Sequence, residues 1–166
     1  MILRLRRHYG NRFVVMTHKI IPLEAHHTDD VWRIEQAANT FPWAESMIRK
    51  EPNRIAANYV LVVDEQVVGY CFGQLVAGEG TLLNIAIDPA LQRKGYGKLL
   101  LNGFIDALEA KQAEEIWLEV RESNLGAYKL YEATGFNETN RRVGYYPAVN
   151  GREDALIMAY MFMPFG

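Results

Sequence analysis

A strand that must stop, a loop with glycines two residues apart and a helix that must start follow one another between residues 81 and 112, and few folds accommodate that succession. Residues 81–87 alternate, placing Leu83, Ile85 and Ile87 on one face of a strand. Asp88-Pro89 ends it, because proline has no N–H to donate to a ladder. Gln92-Arg93-Lys94-Gly95-Tyr96-Gly97 comes next. Leu99, Leu100, Gly103, Phe104, Ala107 and Leu108 then recur at helical spacing, giving an amphipathic helix to about Gln112.

Such a loop suits an anion. A helix start offers unpaired N–H groups and a partial positive charge, glycine permits close backbone approach, and Arg93, Lys94 and Lys98 add mobile cations. A pyrophosphate fits. A P-loop is disfavoured, because it needs four residues between its glycines and a Lys-Ser/Thr pair after them. A dinucleotide fingerprint is disfavoured, because its third glycine would fall at Leu100. From these residues alone, an ordinary helix start with solvated cations stays open beside the anion site.

Around this unit the chain alternates strands and helices. Thr28 or Asp29 can cap a helix carrying Val31, Ile34, Glu35 and Ala38 and ending near Thr40, and residues 44–50 form a second, short one. Tyr59–Val63 and residues 67–75 read as a hairpin. Ile116, Leu118 and Val120 alternate with Trp117, Glu119 and Arg121 in a strand. Ser123 or Asn124 can cap a helix that Gly135 ends. Strands at 136–145 and 155–162 flank a loop with the turn signal Asn150-Gly151. The expected class is α/β (α+β), one domain over residues 16–166, with a central mixed, mainly antiparallel sheet flanked by helices.

A net charge of −2 excludes a whole-protein basic field for nucleic acid. Cys71 is the only cysteine, so no intrachain disulfide forms and a cytoplasmic protein is expected. No apolar run reaches the roughly 20 residues of a membrane span, and no membrane partner is expected. Residues 1–15 stand apart, with Arg4, Arg6, Arg7 and Arg12 and no acid. They lack the apolar stretch of a signal peptide and the serine of a transit peptide, and are read as a basic, disordered upstream extension or as an alternative start before Met16. His8, His18, His26 and His27 lack zinc-site spacing, so no metal is expected.

The loop Gln92-x-x-Gly95-x-Gly97, after a strand and opening a helix, resembles the acetyl-CoA loop of the GNAT N-acetyltransferases. Further segments resemble the bacterial ribosomal-protein-alanine N-acetyltransferases, the RimI family, from about Met16 onward. They are Phe41-Pro42-Trp43, Asn84-Ile85-Ala86-Ile87-Asp88-Pro89, Trp117-Leu118-Glu119-Val120-Arg121, Ser123-Asn124, Leu130-Tyr131-Glu132, Gly135-Phe136, Tyr145-Tyr146-Pro147 and Gly151-Arg152-Glu153-Asp154-Ala155.

The resemblance implies the GNAT fold and transfer of acetyl from acetyl-CoA to the N-terminal alanine of small-subunit ribosomal protein eighteen. It implies that Ile85, Ala86 and Ile87 pair with the pantetheine arm and that Arg93, Lys94, Gly95, Tyr96, Gly97 and Lys98 wrap the pyrophosphate. Asn124 touches the cofactor, and the Ile87 amide donates to the thioester oxygen. Glu119 matches the general base and Tyr131 the general acid that protonates the departing thiolate. Asn124, Tyr128 and Tyr131, at i, i+4 and i+7, share one helix face. Phe41, Pro42, Trp43, Tyr145 and Tyr146 would wall the acceptor groove.

Without the resemblance, Glu119 reads as a solvated strand glutamate and Tyr131 as a core aromatic. Glu35, Glu79, Glu153 and Asp154 are candidates to meet a basic acceptor, or else ordinary surface carboxylates. Cys71 is expected to be buried packing. Two alternatives remain: a GNAT enzyme acting on small amines or on protein N-termini more broadly, and a non-catalytic RNA- or ribosome-binding module contacting RNA through the basic arm.

Overall fold

The computed structural model describes residues 3–9 and 12–164, with side chains from residue 16 to residue 164. Eight strands lie in the order β1-β2-β3-β4-β5-β6-β8-β7. They are β1 (Leu3–Tyr9), β2 (Arg12–Pro22), β3 (Tyr59–Val63), β4 (Gln66–Val76), β5 (Glu79–Ile87), β6 (Glu115–Arg121), β7 (Asn137–Ala148) and β8 (Gly151–Met161). The helices are α1 (Thr28–Ala38), α2 (Glu45–Ile48), α3 (Tyr96–Ala110) and α4 (Leu125–Thr134). The sheet is mixed and mainly antiparallel, with β5 and β6 as its parallel pair. Contacts divide the chain into two compact units, with β4, β5 and α3 contributing residues to each.

The first unit comprises Met1–Arg54, Asn58–Cys71 and Ile85–Leu100. Its β1, β2, β3 and the start of β4 run antiparallel in succession. Leu3–Tyr9 forms β1 and Arg12 opens β2, with Met1, Ile2, Gly10 and Asn11 outside the described residues. No strand is legible between Met16 and Pro22, because Lys19 and the half-buried Ile20 and Ile21 alternate poorly. Pairing with the wholly buried Tyr59–Val63 imposes it. The β3–β4 turn is Asp64-Glu65, both left-handed at φ 46 and 67, which suits a tight hairpin.

Helix α1 buries Val31 and Ile34 completely. Its entry differs from expectation: Thr28 and Asp29 lie inside the helix, after a 3-10 turn (Ala25–His27) in which the Glu24 N–H donates to His27 Nδ1 (3.0 Å). Helix α2 is shorter than the expected 44–50. Arg49, just after it, ties Glu45 (2.8 Å) to Asp29 (2.7 Å).

The second unit comprises Ile55–Ala57, Phe72–Asn84 and Leu101–Gly166. Phe104 of α3 fills the space where a Cβ on Gly73 would stand, 2.5 Å from its ring, so this strand glycine is a packing requirement. Ile116, Leu118 and Val120 of β6 are buried, as are Leu156 and Met158 of β8. Asn124 caps α4 by accepting from the Ala127 N–H (3.2 Å), and Gly135 ends it at φ 113. The expected loop between the last two strands is instead a long hairpin, closed by Ala148↔Gly151 around Val149 and Asn150.

Candidate functional site

The candidate residues divide between the two units. In the first, the end of β5 is held from one side. The Asp88 N–H donates to the Val68 carbonyl of β4 (2.8 Å), and strand amides alternate, so Ala86 also faces β4 while the N–H groups of Ile85 and Ile87 point away. The register with β6 stops at Leu82↔Leu118, leaving Ile85 and Ile87 without a register partner there among the described residues. The Gln92 side-chain amide donates to the Ile87 carbonyl (3.3 Å), tying the loop to the strand.

Asp88 fixes the turn. One oxygen accepts from the Ala90 N–H (3.0 Å) and the other meets Arg33 (2.8 Å), whose guanidinium holds the carboxyl below the usual aspartate range. Arg93 at φ 64 and Gly95 at φ 81 alternate with ordinary residues, a backbone form that turns successive N–H groups to one side and makes an anion nest. A Cβ on Gly95 would meet nothing within 4 Å, so its glycine serves conformation and approach rather than packing. Arg93, Lys94 and Lys98 are exposed. Tyr96 differs: its ring is buried, edge-on to His18 at 5.7 Å, so only its backbone faces outward at the helix start.

Phe41 and Pro42 are exposed and Trp43 is half-buried. The Trp43 N–H donates to Glu35 Oε1 (2.8 Å). Glu35, read from the sequence as a candidate for a basic acceptor or an ordinary surface carboxylate, is neither: it is 1% exposed and also accepts from the Tyr70 hydroxyl. Its place among Val31, Ile34 and Ala38 was the signal that it faces inward.

In the second unit Glu119 stands on the half-exposed face of β6 and meets Arg142 Nε at 3.2 Å. Tyr145 and Tyr146 lie edge-on at 5.0 Å, with Arg142 5.1 Å from the Tyr145 ring centre and Arg121 4.4 Å from that of Tyr146. Burial, then the Glu119 charge, push the Tyr146 phenol up to about 12. The structure thus brings Glu119 together with Tyr145 and Tyr146, and adds Arg121, which shares the strand face of Glu119, and Arg142, whose side chain carried no sequence signal for this place.

Glu153 is committed to Arg121 (2.9 Å) and the Ser123 N–H, and Asp154 to Arg141 (2.9 Å) and the Gly144 N–H. These partners hold both carboxyls below their ordinary ranges. Glu79 remains exposed at the start of β5. On α4, Tyr131 is buried, edge-on to Phe136 at 5.9 Å, while the Tyr128 hydroxyl donates to Glu138 (3.0 Å). The Cys71 thiol is buried and pushed up to about 12, which removes it as a nucleophile. Among the described residues no His, Cys, Asp and Glu group is arranged to hold a metal, and no helix is long and apolar enough to cross a membrane.

The Acetyltransferase (GNAT) family model matches residues 22–136, and the chain belongs to that family. It is 45% identical over 128 residues to the [ribosomal protein bS18]-alanine N-acetyltransferase of Salmonella typhimurium, covering 77% of this chain and 86% of that protein. Identity to the Escherichia coli enzyme of the same name is 43% over 140 residues, with 84% and 95% covered. The crystal structure of the Escherichia coli ribosomal-protein-S18-alanine N-acetyltransferase superposes with a TM-score of 0.85 at 41% identity, covering 90% of this chain and 96% of that one.

Proposed function

We propose that this chain transfers acetyl from acetyl-CoA to the α-amine of the N-terminal alanine of ribosomal protein bS18, in the cytoplasm. The observation that carries the chemistry is the Asp88 N–H bond to the Val68 carbonyl, from which strand alternation directs the Ile85 and Ile87 amides away from β4, beside the Arg93–Gly95 turn. The substrate rests on the relatives that bear this activity in their names.

The N–H groups along 93–98 hold the pyrophosphate, and the Ile85 amide bonds the pantetheine arm as an added strand would. Ile87 N–H donates to the thioester oxygen as negative charge gathers there. An α-amine with a pKa near ~8 is largely protonated at neutral pH, so Glu119 removes a proton before nitrogen attacks the acetyl carbon. The C–N bond forms, the C–S bond breaks, the Tyr131 hydroxyl protonates the thiolate, and the second proton shed by the nitrogen as it becomes an amide restores the Tyr131 hydroxyl through solvent. Asn124, its Oδ1 engaged in the cap, keeps its amide N–H groups for the cofactor. Phe41, Pro42, Trp43, Tyr145 and Tyr146 line the acceptor.

Incubation of acetyl-CoA with an alanine-initiated basic peptide, spermidine or lysine, read by mass spectrometry, tests this. One acetyl on the peptide α-amine is the expected product; acetylation of the small amines alone overturns the protein substrate.

A further inference from the structure

Glu35 is a buried titratable group that the chemistry above leaves unused. Its carboxylate is 1% exposed, on a helix whose neighbouring inward positions, Val31 and Ile34, are wholly apolar. A buried carboxylate pays heavily in lost hydration, and an apolar side chain of similar volume often serves a fold equally well. What the carboxylate does that leucine could not is accept. Oε1 takes the Trp43 N–H and Oε2 the Tyr70 hydroxyl.

Those two donors lie in different parts of the first unit. Trp43 belongs to the Phe41-Pro42-Trp43 loop between α1 and α2. Tyr70 is on β4, two residues from Val68, whose carbonyl holds the N–H of Asp88 immediately after Ile87. Between them Gly69 is packed so closely on β5 that its Cβ would stand 2.4 Å from Ile87 Cδ1. Two residues before Glu35 on α1, Arg33 meets Asp88 itself. Two short paths therefore lead from Glu35 to the end of β5, one through β4 to Ile87 and one through α1 to Asp88, the residue after it.

We infer that Glu35 is a positioning residue that sets the Phe41–Trp43 loop against the Ile87 amide, and so aligns the acceptor amine with the acetyl carbon. The inference rests on the proposed role of that loop as an acceptor wall. Glu35→Leu fills the volume but cannot accept, whereas Glu35→Gln keeps an oxygen for Trp43 and lets the Tyr70 hydroxyl rotate to accept from the new amide.

The test is steady-state kinetics with the alanine-initiated peptide, alongside acetyl-CoA affinity by calorimetry and thermal melting. Glu35→Leu is expected to raise peptide KM about 10- to 100-fold, as for a lost hydrogen bond to a charged group, with acetyl-CoA affinity unchanged. Glu35→Gln is expected to restore KM to within about threefold of wild type. Wild-type KM in Glu35→Leu, or an equal loss of acetyl-CoA affinity, overturns the positioning role. If Glu35→Leu does not fold, Tyr70→Phe decides: a raised peptide KM supports the role and an unchanged one overturns it. Trp43→Ala separates the two readings. Unchanged KM there refutes the acceptor wall and this inference with it, whereas a raised KM beside a silent Glu35→Leu refutes the positioning role alone.

Discussion

Glu119 and Tyr131 carry the proposed proton transfers from opposite kinds of environment, the one half-exposed and ion-paired to Arg142, the other buried against Phe136. Glu119→Gln removes a base without changing shape, and Tyr131→Phe removes one hydroxyl. Each is expected to lower kcat by about 100-fold or more, within the usual range for a lost general acid or base, while acetyl-CoA affinity stays near wild type. Wild-type turnover in both variants would sink the assignment. Gly95 is a different case. With open space around its Cβ position, Gly95→Val costs conformation alone: a β-branched residue at φ 81 is strained, and relaxing it turns N–H groups out of the nest. Acetyl-CoA affinity, by calorimetry, is expected to fall about tenfold or more.

The end of β5 depends on neighbours that never touch a ligand in this scheme. On β4, Gly69→Val would drive a side chain into Ile87 and the Ala86 carbonyl, which stand 2.4 and 2.8 Å from the Cβ position. Overpacking of that kind typically costs about 1–3 kcal/mol, and turnover should fall with the melting temperature as the Ile87 amide shifts. A melting temperature and kcat both equal to wild type would show that β5 does not depend on this contact. The Arg33–Asp88 pair makes a separate prediction about pH. Asp88 has its folded pKa depressed, first by the Arg33 hydrogen bond, so its contribution to stability is present above the unfolded value near ~3.9 and is lost as pH falls through the lower folded value. Asp88→Asn should therefore cost stability at pH 7 and show a shallower loss on acidification. Melting curves from neutral pH down to about 3 check it, and parallel curves for both proteins would refute it.

Removing residues 1–15 bears on the whole molecule. Relatives align with 77–84% of this chain, and the family match begins at residue 22, so we propose that the nest, Glu119 and Tyr131 do not need the extension. The protein beginning at Met16 should keep peptide kcat/KM within about threefold while melting lower, because β2 loses its β1 partner and the buried His18, paired with Leu3 in register, becomes an edge residue. A drop in kcat/KM of about 100-fold would give the extension a part in acetyl transfer.

The cofactor half of the candidate site was the most legible, because its signals are local: proline stops a strand, glycine admits positive φ, and a helix start supplies donors whatever surrounds it. Both ends of α4 were legible for the same reason, in Asn124 and Gly135. Strand β2, the inward turn of Glu35, the commitment of Glu153 and Asp154 to arginines, and the gathering of Arg142 with Glu119 and Tyr145 were settled only by tertiary pairing. Each depends on a partner distant in sequence, such as Val63 for His18 or Tyr70 for Glu35. Chemistry written into adjacent residues survives reading one residue at a time; charge partners and strand registers exist only once the chain has folded back on itself.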